Sequence, residues 1–196
     1  MLGFIVEYSK AIDFLKDKGR VYQDALLKVP AGLLRRHGVS PDAVTLLSMV
    51  LVLVSSILLF RQDKLYLLVL PSAVFVDMLD GTLARMYAKE RFGILFDYFS
   101  DRFSDAMLIL ALVASGMLDY YLALFLLFFY VVSTLLTKLL ENMKIKVYIL
   151  SFRILAMIAL FLNELYGSAL LLVCYILLLD YACTTLAALP RVFYRK

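Results

Sequence analysis

The chain has 196 residues, of which 64% are hydrophobic and only 18% are charged, and its mean hydropathy is +0.90. Soluble domains are about 45–50% apolar, so this composition excludes an ordinary water-soluble domain, a disordered chain and a nucleic-acid-binding protein. The two cysteines, Cys174 and Cys183, share one apolar stretch at a spacing that puts them on opposite faces of a helix. That spacing argues against a disulfide-stapled scaffold. We therefore expect a membrane protein.

The apolar segments predict six membrane-spanning helices, because a bilayer-spanning helix needs about 20 mostly apolar residues. In chain order these segments are 43–60, 65–86, 93–117, 120–140, 145–162 and 165–189. We expect Pro190 to end the last of them. Residues 3–29 alternate apolar and charged side chains at helical spacing, the pattern of an amphipathic helix that lies in the membrane interface.

The predicted fold class is therefore all-α: a polytopic membrane protein with six transmembrane helices and an N-terminal amphipathic interfacial helix. The connections are short, so we expect a single domain over residues 1–196. Its parts are the interfacial helix and loop (1–42), the six spans (43–189) and a cytoplasmic tail (190–196).

The distribution of lysine and arginine predicts the orientation of these spans. The two termini and the second-to-third and fourth-to-fifth connections hold 16 of the 20 basic residues, whereas the opposite side has only Arg61 and Lys64. Cytoplasmic segments carry the excess of Lys and Arg. We therefore expect a multi-pass protein of the cell membrane with both termini in the cytoplasm.

Five aspartates lie in the second and third predicted spans, toward their cytoplasmic ends: Asp77, Asp80, Asp97, Asp101 and Asp105. A charge at the bilayer centre costs about 2.5–3.5 kcal/mol on insertion scales, so such residues face a cavity or a partner. The aspartates of each span are three or four residues apart, which places them on one helix face. Because the two spans are consecutive and antiparallel, both faces can meet near the cytoplasmic surface.

Three interpretations of this acidic cluster are open from spacing alone. Carboxylate oxygens suit Mg²⁺ or Mn²⁺, and clustered carboxylates can hold one or two such ions. Alternatively, the aspartates pair with Arg85, Arg91 and Arg102, or they line the ion or proton pathway of a transporter. Gly81 and Arg85 favour the metal site, because glycine lets a ligand approach the backbone and a guanidinium can clamp a phosphate.

Residues 77–101 read D-x2-D-G-x2-A-R-x7-G-x3-D-x3-D. This pattern resembles the signature of the CDP-alcohol phosphotransferase family of integral membrane enzymes at all eight defined positions. Six spans and a preceding interfacial helix are also typical of the family. The chain departs from the family pattern at the start of the first span, where Asp42 stands in place of the usual asparagine, three residues before Thr45.

The resemblance implies that a CDP-linked lipid gives its phosphatidyl-type group to the hydroxyl of a small polar acceptor alcohol, with release of CMP, at the cytoplasmic face. It implies one or two Mg²⁺ or Mn²⁺ ions as cofactor, held by Asp77, Asp80, Asp97 and Asp101, and it makes Asp101 the general base. Its implied CDP-binding residues are Asp77, Gly81, Ala84, Arg85 and Gly93, with Asp42 and Thr45. It further implies that the protein forms a homodimer and that it contacts membrane lipids.

The acceptor is predicted from two basic residues in later spans. Lys138 and Arg153 resemble the pair that receives the acceptor's phosphate in family members that use inositol phosphate or glycerol phosphate, so we expect a phosphorylated polyol. The Arg-Pro-x-Arg run of those members is absent here, which leaves serine or another amino alcohol open. Arg102 and Asp105 either line the acceptor pocket or pair across helices. A transporter that uses the acidic cavity is the alternative from a different class.

Overall fold

The structure is a computed structural model that describes residues 2–87, 91–142, 152–166 and 169–193. Within these ranges it is all-helical, which confirms the all-α part of the predicted fold class. The seven helices found there are α1 (Leu2–Arg36), α2 (Pro41–Phe60), α3 (Tyr66–Met86), α4 (Arg91–Ala114), α5 (Tyr120–Asn142), α6 (Phe152–Tyr166) and α7 (Ala169–Phe193). The chain divides into two compact units, one of residues 20–118 and one of residues 1–19 with 119–196.

Helix α2 begins at Pro41 because the preceding residues form an N-cap. The side chain of Ser40 accepts a hydrogen bond from the backbone N–H of Ala43 at 3.2 Å, and Pro41 takes the first helical position. Serine is among the preferred N-cap residues, and proline is favoured at the first position since it has no N–H to satisfy. Asp42 and Thr45 consequently lie in the first turn of the helix rather than in a loop.

The ends of α1, α4 and α7 differ from the sequence prediction in ways that their sequences explain. Helix α1 continues through Pro30 to Arg36, and α4 stops at Ala114, before the predicted end at 117. Both are followed by a glycine with positive φ, Gly38 (φ 72°) and Gly116 (φ 75°), which is the common way to end a helix. The expectation that Pro190 ends the last span is wrong, since α7 runs to Phe193. The fixed φ of proline is compatible with a helix, and only one intrahelical hydrogen bond is lost there.

In the unit of residues 20–118, α2 packs against α3 and α4. A buried cluster joins α1 to α2 and α3 and contains Leu27, Ala31, Val44, Leu79 and Leu83. The opposite face of α1 is apolar and exposed, and its residues there are Tyr22, Leu26, Val29 and Leu33. This part of α1 thus has a face that packs on the protein and a face of exposed apolar side chains.

In the other unit, α7 packs against α5 and α6. The rings of Tyr130 on α5 and Tyr181 on α7 contact each other with centroids 5.6 Å apart. The fifth predicted span starts at 145, but residues 143–151 lie outside the described residues, and α6 is described from Phe152.

Two of the described helices, α2 and α3, are long and apolar enough to cross a membrane. Shorter apolar stretches occur in the described parts of α5 (Tyr120–Leu136) and α7 (Leu170–Thr185). These helices agree with the start of the predicted series of spans, and the complete series of six stays a prediction.

The packing of α1 predicts opposite outcomes for two adjacent leucines. Leu27 is 1% exposed, whereas Leu26 is 73% exposed. Leu27→Ala is expected to cost about 2–5 kcal/mol of stability because it leaves a cavity between α1 and α3. Leu26→Ala, the matched control, removes the same atoms without opening a cavity. Thermal unfolding in detergent measures both, and equal melting temperatures for the two variants would contradict the packing.

Candidate active site

The four signature aspartates come from two helices of one unit. Asp77 and Asp80 lie one turn apart on α3, and Asp97 and Asp101 lie one turn apart on α4. Asp80 is only 3% exposed, while the other three are half-buried. Each of these three lies close enough to Asp80 to repel its negative charge. The structure therefore places Asp77, Asp97 and Asp101, which the sequence analysis assigned to a metal together with Asp80, within electrostatic range of Asp80.

Asp80 is the centre of this group and is incompletely satisfied by the protein. The hydroxyl of Thr45 on α2 donates to the backbone carbonyl of Pro41 at 3.1 Å and lies beside the Asp80 side chain. Among the described residues, Oδ2 of Asp80 is buried without a hydrogen-bond partner, as is Oδ1 of Asp42 in the first turn of α2. Buried polar atoms are nearly always paired in folded proteins, so an unpaired carboxylate oxygen indicates a place where a ligand or ion binds.

The donor set fits a divalent cation, although its ligating geometry is not assembled. Within the described residues, no three His, Cys, Asp or Glu side chains are close enough together to hold a metal ion. The available donors are carboxylate oxygens on α3 and α4, two helices that both pack against α2. Oxygen donors suit Mg²⁺ or Mn²⁺ rather than softer metals. Like charges hold such carboxylates apart, and a cation between them would draw them in.

Arg85, predicted to bind the CDP moiety, is held by a residue that the sequence analysis missed. Its Nε donates to Oδ1 of Asp24 on α1 at 3.1 Å, and its Nη2 also contacts this oxygen. The hydroxyl of Thr82 donates to the same Asp24 oxygen at 3.2 Å and accepts from Arg85 Nη2 at 3.2 Å. Asp24 has no signature spacing to the other acids, so only the packing of α1 reveals its role.

A cavity of about 400 Å³ opens beside this ion pair, between α1 and α3. Its lining includes the polar side chains of Asp24, Lys28, Thr82 and Arg85. Gly81 lies beside it on α3, where a Cβ would stand 3.6 Å from Nη1 of Arg85. The C-terminal end of α3, which carries Arg85, is therefore accessible to a ligand from the side of α1.

The other predicted site residues fall in different places. Ala84 is half-buried on α3, and Gly93 lies in the first turn of α4. Arg102 Nη1 lies 3.9 Å from Asp105 Oδ2, and its guanidinium stacks over the ring of Tyr98 at 5.2 Å. All three of these residues are on α4, so these two contacts of Arg102 run along one helix, whereas the sequence analysis expected pairing across helices.

The two predicted acceptor-binding cations belong to the unit that contains α5 to α7. Lys138 is exposed near the end of α5, and Arg153 is buried, only 5% exposed, in the first turn of α6. A buried arginine is rarely tolerated without partners that use its charge. Arg153 is therefore the stronger of the two candidates.

Comparison with known proteins defines the class. A sequence model of the CDP-alcohol phosphatidyltransferase family matches residues 38–186. The match includes α2 to α6, most of α7 and all eight signature positions. This chain therefore belongs to the CDP-alcohol phosphatidyltransferase family, which confirms the resemblance and favours a transferase over an ion transporter.

Two curated proteins that are named as synthases are similar in sequence to part of this chain. The chain is 30% identical over 85 residues to an archaetidylinositol phosphate synthase of Pyrococcus horikoshii, covering 42% of this chain and 45% of that protein. It is 32% identical over 94 residues to a phosphatidylinositol phosphate synthase of Streptomyces avermitilis, covering 46% of this chain and 38% of that protein. The chain thus matches less than half the length of each relative.

Solved structures share the fold over most of the chain. The phosphatidylinositol phosphate synthase of Mycobacterium tuberculosis with CDP-DAG bound has a TM-score of 0.71 and 24% identity, covering 86% of this chain and 94% of that one. The same protein in complex with manganese and citrate has a TM-score of 0.72 and 23% identity, covering 85% and 88%. These likenesses show a common fold.

Proposed function

We propose that this protein transfers a phosphatidyl-type group from a CDP-linked lipid alcohol to the hydroxyl of a small polar acceptor and releases CMP. The observation that carries this proposal is the group of four signature aspartates around the buried carboxylate of Asp80. Family membership supports the reaction class. The manganese and CDP-DAG named for the structural neighbour are the two ligands that such a site requires.

Asp77, Asp80 and Asp97 are proposed to hold one or two Mg²⁺ or Mn²⁺ ions, which Asp101 shares. A bound ion neutralises the diphosphate of the CDP-lipid and makes CMP a better leaving group. Asp101 accepts the proton of the acceptor hydroxyl. The acceptor oxygen then bonds to the lipid-side phosphorus while the bond from that phosphorus to CMP breaks.

The remaining signature residues are proposed to bind CDP. Gly81, Ala84 and Gly93 leave room for the nucleotide close to the helix backbones, and Asp77 faces it from α3. The Arg85 guanidinium supplies positive charge for the diphosphate. On α2, Asp42 and Thr45 complete the site, and the buried Oδ1 of Asp42 is available to accept a hydrogen bond from the base.

The proposed acceptor is a phosphorylated polyol, inositol phosphate or glycerol phosphate. Both curated relatives are named as inositol phosphate lipid synthases, and Arg153 is a buried cation suited to a phosphate. We assign the acceptor phosphate to Arg153 and Lys138. Serine or another amino alcohol is the alternative acceptor.

The proposed setting is the cell membrane, crossed by six spans, with both termini and the site on the cytoplasmic side. The charge distribution supports this orientation. The exposed apolar side chains of Tyr22, Leu26, Val29 and Leu33 support a location of α1 in the interface, because they lie opposite the face that packs on α2 and α3.

The acceptor assignment is tested by assaying the purified protein in detergent with CDP-diacylglycerol, Mn²⁺ and one acceptor at a time. Inositol phosphate, glycerol phosphate, serine and free inositol form the set. Arg153→Gln is expected to raise the KM of the phosphorylated acceptor at least about tenfold, since it removes a charge-assisted contact. The KM of the CDP-lipid should not change.

Arg61→Gln is the control, because Arg61 is an exposed arginine at the C-terminal end of α2. It should leave both KM values unchanged. Turnover with serine or free inositol and none with a phosphorylated polyol would contradict the acceptor assignment without affecting the reaction class.

A further inference from the structure

The contact between Asp24 and Arg85 links α1 to the C-terminal end of α3, the helix that also carries Asp77 and Asp80. The Asp24 side chain is 43% exposed and that of Arg85 45%, so the pair lies at the rim of the cavity rather than in the core. Exposed ion pairs contribute little to stability, typically about 0–1 kcal/mol. A role in folding alone therefore does not explain why this acidic residue faces the signature arginine.

The geometry of the pair orients the guanidinium. Asp24 contacts Nε and Nη2, which form one edge of the group, and Thr82 contacts Nη2 from the same side. The third nitrogen, Nη1, is directed toward Gly81, next to Asp80. Asp24 thus occupies the Nε–Nη2 edge and leaves Nη1 on the side of Gly81, which is itself proposed to bind CDP.

The position of Asp24 is itself fixed by its neighbours on α1. Gln23 donates from Nε2 to the backbone carbonyl of Met78 on α3 at 2.8 Å. Leu27 and Ala31, one and two turns later, are buried against α2 and α3. These contacts on both sides hold the Asp24 carboxylate against α3. The carboxylate can therefore restrain the long side chain of Arg85, which would otherwise sample several rotamers.

We propose that Asp24 is a positioning residue, which orients Arg85 so that its Nη1 meets the diphosphate of the CDP-linked substrate. This inference rests on the proposed function and extends it: the amphipathic helix becomes part of the nucleotide site as well as a contact with the membrane surface. Asp24 touches neither substrate nor metal and acts through Arg85.

A double-mutant cycle tests this inference, with Asp24→Asn and Arg85→Gln made singly and together. The readouts are the Kd for CDP-diacylglycerol in the presence of Mn²⁺, and kcat and KM for CMP release. Asp24→Asn is expected to raise Kd and KM about fivefold and to change kcat less than about twofold, because it affects substrate binding and not the proton transfer. In the Arg85→Gln background, Asp24→Asn should have no further effect, since the residue through which it acts is gone.

Asp24→Glu, which keeps the charge, is expected to restore part of the affinity. Asp63→Asn is the matched control, because Asp63 is an exposed acid in the connection between α2 and α3 whose carboxylate caps Leu65, and asparagine keeps that acceptor. It should behave like the wild type.

Two results overturn the inference. One is an unchanged Kd and KM for Asp24→Asn in a protein whose wild type is active, which leaves the proposed function intact. The other is an equal loss in both Arg85 backgrounds together with a lower melting temperature, which indicates a structural role. Failure of the wild type itself to bind CDP-diacylglycerol or release CMP refutes the proposed function, and the inference falls with it.

Discussion

Asp101→Asn is expected to lower metal-dependent CMP release by about 10²–10⁴-fold, the usual contribution of a positioned general base. Asparagine has nearly the same shape as aspartate but cannot accept the acceptor's proton. Asp101 is half-buried on α4 and lies near Asp80, so the substitution removes a negative charge from the cluster without creating a cavity. Initial rates at saturating substrates measure the effect.

Asp119→Asn serves as the control for this variant. Asp119 accepts hydrogen bonds from the backbone N–H groups of Tyr121 and Leu122 at the start of α5, and asparagine caps a helix as well as aspartate does. The control should keep full activity and stability. Retention of more than about a tenth of the wild-type rate by Asp101→Asn contradicts the assignment of this residue as the base.

Asp80→Asn is expected to abolish activity and, without metal, to make the protein more stable. The wild-type carboxylate is buried, is repelled by three neighbouring carboxylates and has one oxygen without a hydrogen-bond partner among the described residues. A neutral amide removes this repulsion and lowers the cost of burial. We expect a rise in melting temperature of about 2–4 °C, which corresponds to about 1 kcal/mol in a chain of this length.

Added Mn²⁺ should reverse the order of the two proteins. A ligand that binds only the folded state stabilises it in proportion to its affinity, so Mn²⁺ should stabilise the wild type and leave Asp80→Asn nearly unchanged. We expect the buried Asp80 carboxylate to destabilise the protein when no metal is bound. If Asp80→Asn melts at a lower temperature than the metal-free wild type, this expectation is wrong.

The aspartate cluster could be predicted from the sequence because helical spacing is a local property. Asp77 with Asp80, and Asp97 with Asp101, share a helix face whatever the rest of the fold does. In the structure both helices pack against α2, which brings Asp97 and Asp101 within electrostatic range of Asp80. The apolar segments predicted from the sequence likewise agree with most of the helices to within a few residues.

Asp24 was not predictable, because its role depends on which face of α1 packs on α3. Leu27 and Leu26 are equivalent in sequence, yet one is buried and the other is exposed. Similarly, the sequence left open whether Arg102 and Asp105 line the acceptor pocket or pair across helices, and the structure shows a contact between them along α4. The continuation of α7 through Pro190 shows that a proline near a helix end is a weak stop signal when the chain beyond it can stay helical.

The central claim is that the aspartate cluster is a metal-dependent site for a CDP-linked lipid. The most direct measurement is CMP release by the purified wild-type protein from CDP-diacylglycerol and a phosphorylated polyol, with Mn²⁺ and with excess EDTA. We expect release with Mn²⁺, loss of release with EDTA, and recovery when the metal is restored. Release that is insensitive to EDTA, or no release and no metal-dependent binding of the CDP-lipid, would contradict it.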